Sequence, residues 1–341
     1  MEKTMQAAVF EGNGTVAVKQ IPVPKLVSPD DVLVKVECCS ICGTDVHITA
    51  IPPGYIATQG TVLGHELVGE VVAAGPEVRS VHPGDRIVCN PNEFCGTCAY
   101  CQRNMPNFCE RVKAMGIDVD GGFAEYVRIA ERCCFVLPPH LSSETAAFAE
   151  PLACVLNGLH KLKLQPGDSS AVIIGAGTIG LLFLMLLKAS GAFPVIVSDI
   201  NAKRRAFALE CGADYVVDPL KQDLEKFVQT KTETGVDFVI EAVGSQFASC
   251  IPLVRKGGTI LLFGVNAKSF PSFMQEQITK RELTVRGTWL ANATFPAAVR
   301  LLASGIVDFR PLITHRFKLA DVVKGIETLR SGDGVEILIT P

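Results

Sequence analysis

AVIIGAGTIGLLFLMLL, residues 171–187, opens as an apolar strand, breaks at Gly175-Ala176-Gly177-Thr178-Ile179-Gly180, and resumes as a leucine-rich segment. It is short of the roughly 20 residues that a membrane-crossing helix needs. Three glycines interrupt it and Lys188 follows directly. A buried strand, a tight turn and a buried helix account for it better. In that setting each glycine of G-x-G-x-x-G has a task. Gly175 permits the turn, Gly177 lets a pyrophosphate approach the backbone, and Gly180 lets the helix pack close to the strand. The phosphate charge then rests on the N-terminus of the helix that Thr178 and Ile179 open.

The next strand, PVIVSD, ends in Asp199, nineteen residues beyond Gly180. A carboxylate there can accept hydrogen bonds from both hydroxyls of an adenosine ribose and repels a 2′-phosphate, so NAD is favoured over NADP. The competing reading of Asp199 is a turn residue that starts the following helix. Arg204 either lies over the adenine, supports Asp199, or is a solvated helix charge beside Lys203 and Arg205. Val243, after DFVIEA, and Phe263, Gly264 and Val265, at the end of TILLFGV, are further candidate cofactor contacts.

The surrounding texture agrees. From residue 155 to 290 short β runs (AVIIG, PVIVSD, YVVD, DFVIEAVG, TILLFG, LTVRG) mostly alternate with helix-length segments, which argues for βαβ units and a parallel sheet. Residues 1–154 carry short strands (VLVKVECC, LVGEVVAAG, DRIVCN, FAEYVRI, CCFVLPP) and turn signals at PGDR and DGG, as in a mostly β domain. Residues 291–341 hold two helix-like segments and a closing strand, VEILIT, and are expected to return to the first domain.

The chain has 341 residues, is 48% hydrophobic and 20% charged, and has a net charge of −3. That balance suits a two-domain globular protein and gives no electrostatic footprint for nucleic acid or a membrane surface. The start, MEKTMQAAVF, moves straight into a strand-like run rather than a secretory leader. Thirteen cysteines, some in adjacent pairs such as Cys38-Cys39 and Cys133-Cys134, point to a reducing, cytoplasmic compartment.

Four of those cysteines follow C-x2-C-x2-C-x7-C: Cys95, Cys98, Cys101 and Cys109. Two-residue spacers let successive sulfurs turn onto one tetrahedral centre, and the lobe around them, about residues 90–112, has little apolar content to fold on its own. A closed structural zinc site is expected; scattered core cysteines or a disulfide pair are the alternatives. The charges of this segment are mixed (Glu93, Arg103, Glu110, Arg111, Lys113), which argues against a nucleic-acid zinc module.

A second constellation is scattered: Cys42-Gly-Thr44-Asp45-Val-His47, then Gly64-His65-Glu66, then Ala149-Glu150-Pro151-Leu152. Together these offer one thiolate, one imidazole and one or two carboxylates, the three-ligand set of a catalytic zinc with an open position. On CGTDVH, GHE, the four-cysteine lobe, AEPLAC, GAGTIG and Asp199, the chain resembles the zinc-containing medium-chain alcohol dehydrogenases over essentially its whole length. The likeness is greater to their polyol (sorbitol), threonine and butanediol dehydrogenase branch.

The resemblance implies an α/β protein with a GroES-like β catalytic domain and a Rossmann doubly wound, parallel-sheet coenzyme domain. It implies Cys42 and His65 as catalytic zinc ligands, with Glu66 as ligand or near neighbour. Glu150 stands where classical members have a cysteine and either binds the metal or holds its water; Cys154 is a competing donor. Thr44 and His47 match the hydroxyl and the surface end of a proton relay, and Asp45 is structural or orients His65. Two zinc ions per subunit, NAD, a small alcohol or ketone partner and a homodimer or homotetramer follow from the same likeness. The implied reaction moves hydride between NAD(H) and a secondary alcohol, diol or small polyol. A rival keeps the fold as a non-catalytic nucleotide-binding or sensor protein, but the zinc and relay positions are all filled here.

In sorbitol dehydrogenases a Tyr follows the relay His and an Arg in the loop after the last Rossmann strand contacts polyol hydroxyls. Ile48 and Leu290 stand at these positions here, so a small or partly apolar substrate is expected rather than sorbitol. Trp289 either lines that pocket or is plain packing.

Overall fold

The computed structural model describes residues 3–341 and divides the chain into two units. One runs up to Ala153 and resumes at Ala291–Pro341; the other is Cys154–Leu290. The first begins with strands β1 (Thr4–Gly12) and β2 (Thr15–Pro22), paired antiparallel around Asn13 and Gly14. Both turn residues have positive φ (47° and 73°), which suits the twist of a hairpin. The sequence pattern does not mark β2, whose positions are nearly all half-exposed or exposed and show no buried face.

Strand β3 (Asp31–Ser40) is the centre of the unit and leads into helix α1 (Gly43–Ile48). Strands β4 (Glu66–Ala74) and β5 (Arg86–Cys89) follow. The two-residue strands β6 (Asn92–Glu93) and β7 (Lys113–Ala114) pair with each other and close the base of the four-cysteine segment. Then come β8 (Tyr126–Ala130), β9 (Cys134–Val136) and helices α2 (Ser143–Ala146) and α3 (Ala149–Leu159). Inward residues of β3, β4, β5 and β8 (Val32, Val34, Val36, Leu67, Val71, Ile87, Val127, Ile129) build one apolar core with Ile48, Leu63 and Phe123.

At one edge of that core Glu37 of β3 is held by Arg86 of β5, with Arg86 Nη2 3.1 Å from Glu37 Oε2, and by the Ser143 hydroxyl of α2. Burial raises the Glu37 carboxyl, but the Arg86 and Ser143 donors outweigh it and hold the group below its ordinary value. A depressed carboxylate stabilises the fold above its unfolded pKa and loses that contribution as pH falls through the folded value. Glu37→Gln is therefore expected to cost about 1–2 kcal/mol at pH 7. The gap between variant and parent should shrink as pH falls below the ordinary carboxylate range, as read by urea melts of both proteins.

In the second unit β10 (Ala171–Ile174), β11 (Val195–Ser198), β12 (Tyr215–Val217), β13 (Val236–Glu241), β14 (Val254–Leu262) and β15 (Thr284–Gly287) form one sheet, with helices α4 (Thr178–Ala189), α5 (Ala202–Glu210), α6 (Leu224–Lys231), α7 (Phe247–Cys250) and α8 (Gln275–Lys280) between them. All neighbouring pairs are parallel, in the order β12-β11-β10-β13-β14-β15. Every residue of β10 and β11 is buried, as a parallel strand covered on both faces requires. Helix α4 is apolar nearly all round, and Leu181, Leu182, Phe183, Leu184, Leu186 and Leu187 are buried. That explains why its sequence imitates a membrane span; among the described residues no helix is long and apolar enough to cross one.

The tail holds α9 (Phe295–Ser304), β16 (Ile313–Lys318), α10 (Val322–Arg330) and β17 (Glu336–Thr340). β17 pairs parallel with β16 and antiparallel with β3, so the last strand completes the sheet of the first unit. The sequence pattern misses β16: ITHRFK is an edge strand whose alternate positions face water, so it carries no apolar run.

Candidate active site

As β3 ends, the chain bends into α1, which leaves Cys42 at the helix N-cap with extended φ and ψ of −85° and 155°. The buried Asp45 turns back, and its Oδ2 accepts from the Cys42 amide at 2.9 Å, which fixes where the thiol stands. His65 and Glu66 arrive from the opposite direction on the lead-in to β4. Gly64 before them has φ +89°, and its carbonyl accepts from the Gly122 amide at 2.7 Å. A Cβ on Gly121 would run into that same carbonyl oxygen, so the DGG of residues 120–122 is a packing surface for the His65 segment as well as a turn.

The result is convergence. A sulfur of Cys42, a ring nitrogen of His65 and a carboxylate oxygen of Glu66 all lie within 4.8 Å of one another. His65 and Glu66 are buried, and the His65 Nδ1 has no hydrogen-bond partner. Burial, then nearby Glu150, pushes Glu66 up to about 7. Burial and the carboxylates of Glu66, Asp45 and Glu150 push the Cys42 thiol well up. Burial works against charging His65, but Asp45, Glu66 and Glu150 outweigh it and raise the imidazole. A thiol, an imidazole and carboxylates thus crowd together, and ionising the thiol and carboxylates jointly calls for added positive charge among them. A divalent cation would supply that charge, and these donors suit zinc.

Glu150, on α3, lies outside the three-residue set, close enough to act on Glu66 and His65 through its charge. Cys154, at 8% exposure, is not in the set either. The Thr44 hydroxyl is 3.6 Å from the Cys42 sulfur, and His47 is exposed near the far end of α1. Ile48 is 1% exposed and belongs to the apolar core.

The four sulfurs of Cys95, Cys98, Cys101 and Cys109 also fall within 4.8 Å of one another, with Cys95 and Cys101 4.0 Å apart. Tetrahedral zinc with ~2.3 Å bonds to sulfur places ligand pairs about 3.8 Å apart. Backbone amides aim at these atoms: Thr97 and Cys98 at Cys95 Sγ (3.5 and 3.3 Å), Cys95 and Arg111 at Cys109 Sγ (3.3 and 3.4 Å). The Thr97 amide, with that of Cys98, brings Cys95 down to about 5, while burial and then the Cys98 sulfur push Cys101 up to about 12. Four thiolates so arranged need a cation to coexist. All thirteen cysteines are free thiols, which removes the disulfide reading.

In the second unit the strand order reverses between β10 and β13, the crevice where open parallel sheets take ligands. Gly175 has φ +100°, and a Cβ on Gly180 would collide with the Gly175 carbonyl oxygen. A Cβ on Gly177 would meet nothing within 4 Å, so the space beside that glycine is open, as a pyrophosphate requires. Thr178 and Ile179 form the first turn of α4 behind it. Val243 packs against Gly175, and a Cβ on Gly264 would strike the Gly244 amide, so the ends of β10, β13 and β14 converge. Phe263 meets Phe183 edge to face at 5.5 Å, and Val265 is more than half exposed.

Asp199 Oδ2 accepts from the Ala176 amide at 2.8 Å and Oδ1 from the Asn201 amide at 2.7 Å, tying it to the glycine turn. Asn201, not Asp199, caps α5. Arg205 is the arginine on the Asp199 main-chain oxygen, at 2.7 Å, whereas the buried Nε of Arg204 has no hydrogen-bond partner. Sequence reasoning passes over Glu241. It is 2% exposed, and its carboxylate accepts from the amides of Val243 and Gly244 at 3.0 and 2.8 Å, shaping the loop after β13. The signal was present as an acidic residue closing the buried apolar run Phe238–Ile240.

Residues 28–139 match the family described as alcohol dehydrogenase GroES-like domain, and residues 178–304 match zinc-binding dehydrogenase. The chain is 34% identical to D-arabinitol dehydrogenase 1 of Uromyces fabae, over 99% of its own length and 97% of that protein. It is 32% identical to sorbitol dehydrogenase of Bacillus subtilis, over 95% and 93%. Among solved structures, a zinc-binding dehydrogenase of Sinorhizobium meliloti bound to NADP superposes with a TM-score of 0.92, at 36% identity and over 100% of both chains. With its two units, its donor sets and these matches, the chain belongs to the zinc-dependent medium-chain alcohol dehydrogenases, in the branch that holds the polyol dehydrogenases, and is an oxidoreductase acting on alcohols.

Proposed function

We propose that this protein oxidises the secondary hydroxyl of a small diol, short sugar alcohol or partly apolar alcohol with NAD, using one catalytic and one structural zinc per subunit. The observation that carries the reading is the meeting of Cys42, His65 and Glu66 within 4.8 Å, with the Thr44 hydroxyl 3.6 Å from the thiol. Cys42, His65 and Glu66 would hold the catalytic ion, with Glu150 beside them, and Cys95, Cys98, Cys101 and Cys109 the structural one. Bound zinc supplies Lewis acidity at the substrate oxygen, and the bound nicotinamide supplies the hydride acceptor.

The remaining work falls to the chain itself. Thr44, beside the donor set, is placed to accept the hydroxyl proton. His47, three residues on and so on the same face of α1, is exposed and discharges the proton to water. Leu290 in place of an arginine supports the small or partly apolar substrate, because the hydroxyls of a long polyol would be left unpaired there. A homodimer or homotetramer in the cytoplasm, joined along the exposed edge strand β15 and the strands near 255–290, completes the reading.

An alcohol and ketone panel with NAD and NADP, followed at 340 nm with and without chelator, tests it. Short diols and sugar alcohols should lead, and chelator should remove activity; highest efficiency with sorbitol or xylitol would refute the substrate reading. The coenzyme is tested separately, since the Sinorhizobium relative is bound to NADP. Asp199→Ala should lower efficiency with both coenzymes, because its carboxylate also holds the Ala176 amide. The NADP-to-NAD ratio should nonetheless rise at least about tenfold, roughly 1.4 kcal/mol of differential binding. An unchanged ratio would show that Asp199 is not the discriminator.

A further inference from the structure

The helix that carries Thr44 and His47 has six residues, too short to be stable alone. Its N-terminal end is tied by Asp45 to the Cys42 amide. At its C-terminal end the orphan carbonyls of Asp45, Val46 and His47 find partners. Asp45 O accepts from the Thr49 amide at 3.1 Å and from its hydroxyl at 2.7 Å. His47 O accepts from Gly54 N at 2.9 Å. Val46 O takes the Thr49 hydroxyl and Arg330 Nη2, each at 3.4 Å.

Arg330 also donates to the Thr49 hydroxyl at 2.7 Å, from α10, 281 residues later in sequence. Its other terminal nitrogen is paired with Glu327 one turn back on α10. The guanidinium is therefore aimed by its own helix, and its charge meets the negative end of α1, where a cation is favoured. Ile48 packs this end into the apolar core, and among the described residues those hydrogen bonds to it that come from outside residues 42–54 are from Arg330 alone.

We propose that Arg330 is a positioning residue for the reaction: it clamps the C-terminal end of α1 through Thr49 and Val46 and so holds Thr44 and His47 in register with the Cys42–His65–Glu66 set. The inference rests on the reading of Thr44 and His47 as the proton path. Its chemistry is a planar donor fork bridging a hydroxyl and a carbonyl, which a lysine point charge reproduces only in part.

The test uses the zinc-loaded enzyme with a secondary alcohol it turns over. Arg330→Ala should lower kcat about 10-fold or more, within the range that misplacing a catalytic group produces. NAD affinity and zinc content should stay within about twofold, since Arg330 touches none of Cys42, His65, Glu66 or the four lobe cysteines. Added guanidinium should restore kcat in Arg330→Ala and leave both the parent and His47→Ala unaffected, and Arg330→Lys should recover part of the loss. Should Arg330→Ala fail to fold, Thr49→Val removes the receiving hydroxyl while keeping the arginine, and should lower kcat likewise; the double variant should lose no more than the worse single one. Parent-like kcat in both Arg330→Ala and Thr49→Val, or a loss that guanidinium does not rescue and that tracks falling zinc content, would overturn the clamp. If instead His47→Ala keeps full activity, it is the proton-path reading that fails.

Discussion

Cys42→Ala is expected to remove turnover almost completely, by about a thousandfold or more, because it deletes the donor around which the Lewis-acid site is assembled. The thiol has no other evident task. The Asp45 carboxylate holds the Cys42 backbone amide at the start of α1, and the thiol lies with His65 and Glu66 within 4.8 Å. An alanine at this N-cap leaves the Asp45 contact to the backbone amide intact, so α1 should still form. The glycine turn lies in the other unit and does not depend on it. Zinc per subunit should drop from two to one, with NAD binding and melting temperature near those of the parent. Metal analysis, coenzyme titration and turnover on one sample check this, and full activity in the variant would refute the zinc assignment.

Cys98→Ala is expected to be the largest loss of stability. Residues 94–112 have only the short β6–β7 ladder at their base and few apolar side chains of their own. Phe108 and Tyr100, the aromatic pair of the lobe, are each about two-fifths exposed, so little apolar burial holds it. Structural zinc contributes roughly 10–16 kcal/mol to small zinc-folded peptides. A site broken from four thiolates to three should therefore release its ion and loosen the segment at a cost of several kcal/mol. The measurements are zinc content, melting temperature and limited proteolysis: one equivalent lost, a lower melting temperature, and new cuts between residues 92 and 114. A variant that keeps both ions and resists the protease as the parent does would show that the lobe is not held by metal.

The two variants separate roles that the residue types alone blur, since both remove a cysteine from a set of converging metal-type donors. One is expected to lose chemistry with the fold intact, the other the fold of a segment. The four-cysteine motif is local, so its spacing is readable directly. The scattered set is assembled by a crossing of chain segments: His65 follows Cys42 by 23 residues and reaches it only because Gly64 bends against Gly121 and Gly122.

Other features escaped a linear reading for identifiable reasons. β2 and β16 lie at sheet edges where alternate side chains meet water, so no apolar run announces them. Ile48 looks like a substrate position because it follows His47, yet its side chain turns inward to the core. Arg204 and Arg205 are indistinguishable as neighbours on a basic helix; only the coordinates show which one reaches Asp199. Glu241 acts through the amides of the loop just after it, whose shape no residue pattern announces, and Arg330 acts on Thr49, a partner 281 residues away that the sequence does not record.

The amino-acid sequence by itself determined the parallel-sheet unit, the glycine turn, the four-cysteine lobe and the class of donors that gather around Cys42. These are properties of short windows, where hydrophobic period, glycine placement and ligand spacing act over a few residues. Tertiary structure alone decided which donors meet, that Cys42, His65 and Glu66 converge with Glu150 just outside, and what holds α1 in place. Those outcomes depend on how distant segments pack, and the energies that set them are spread over the whole core of each unit.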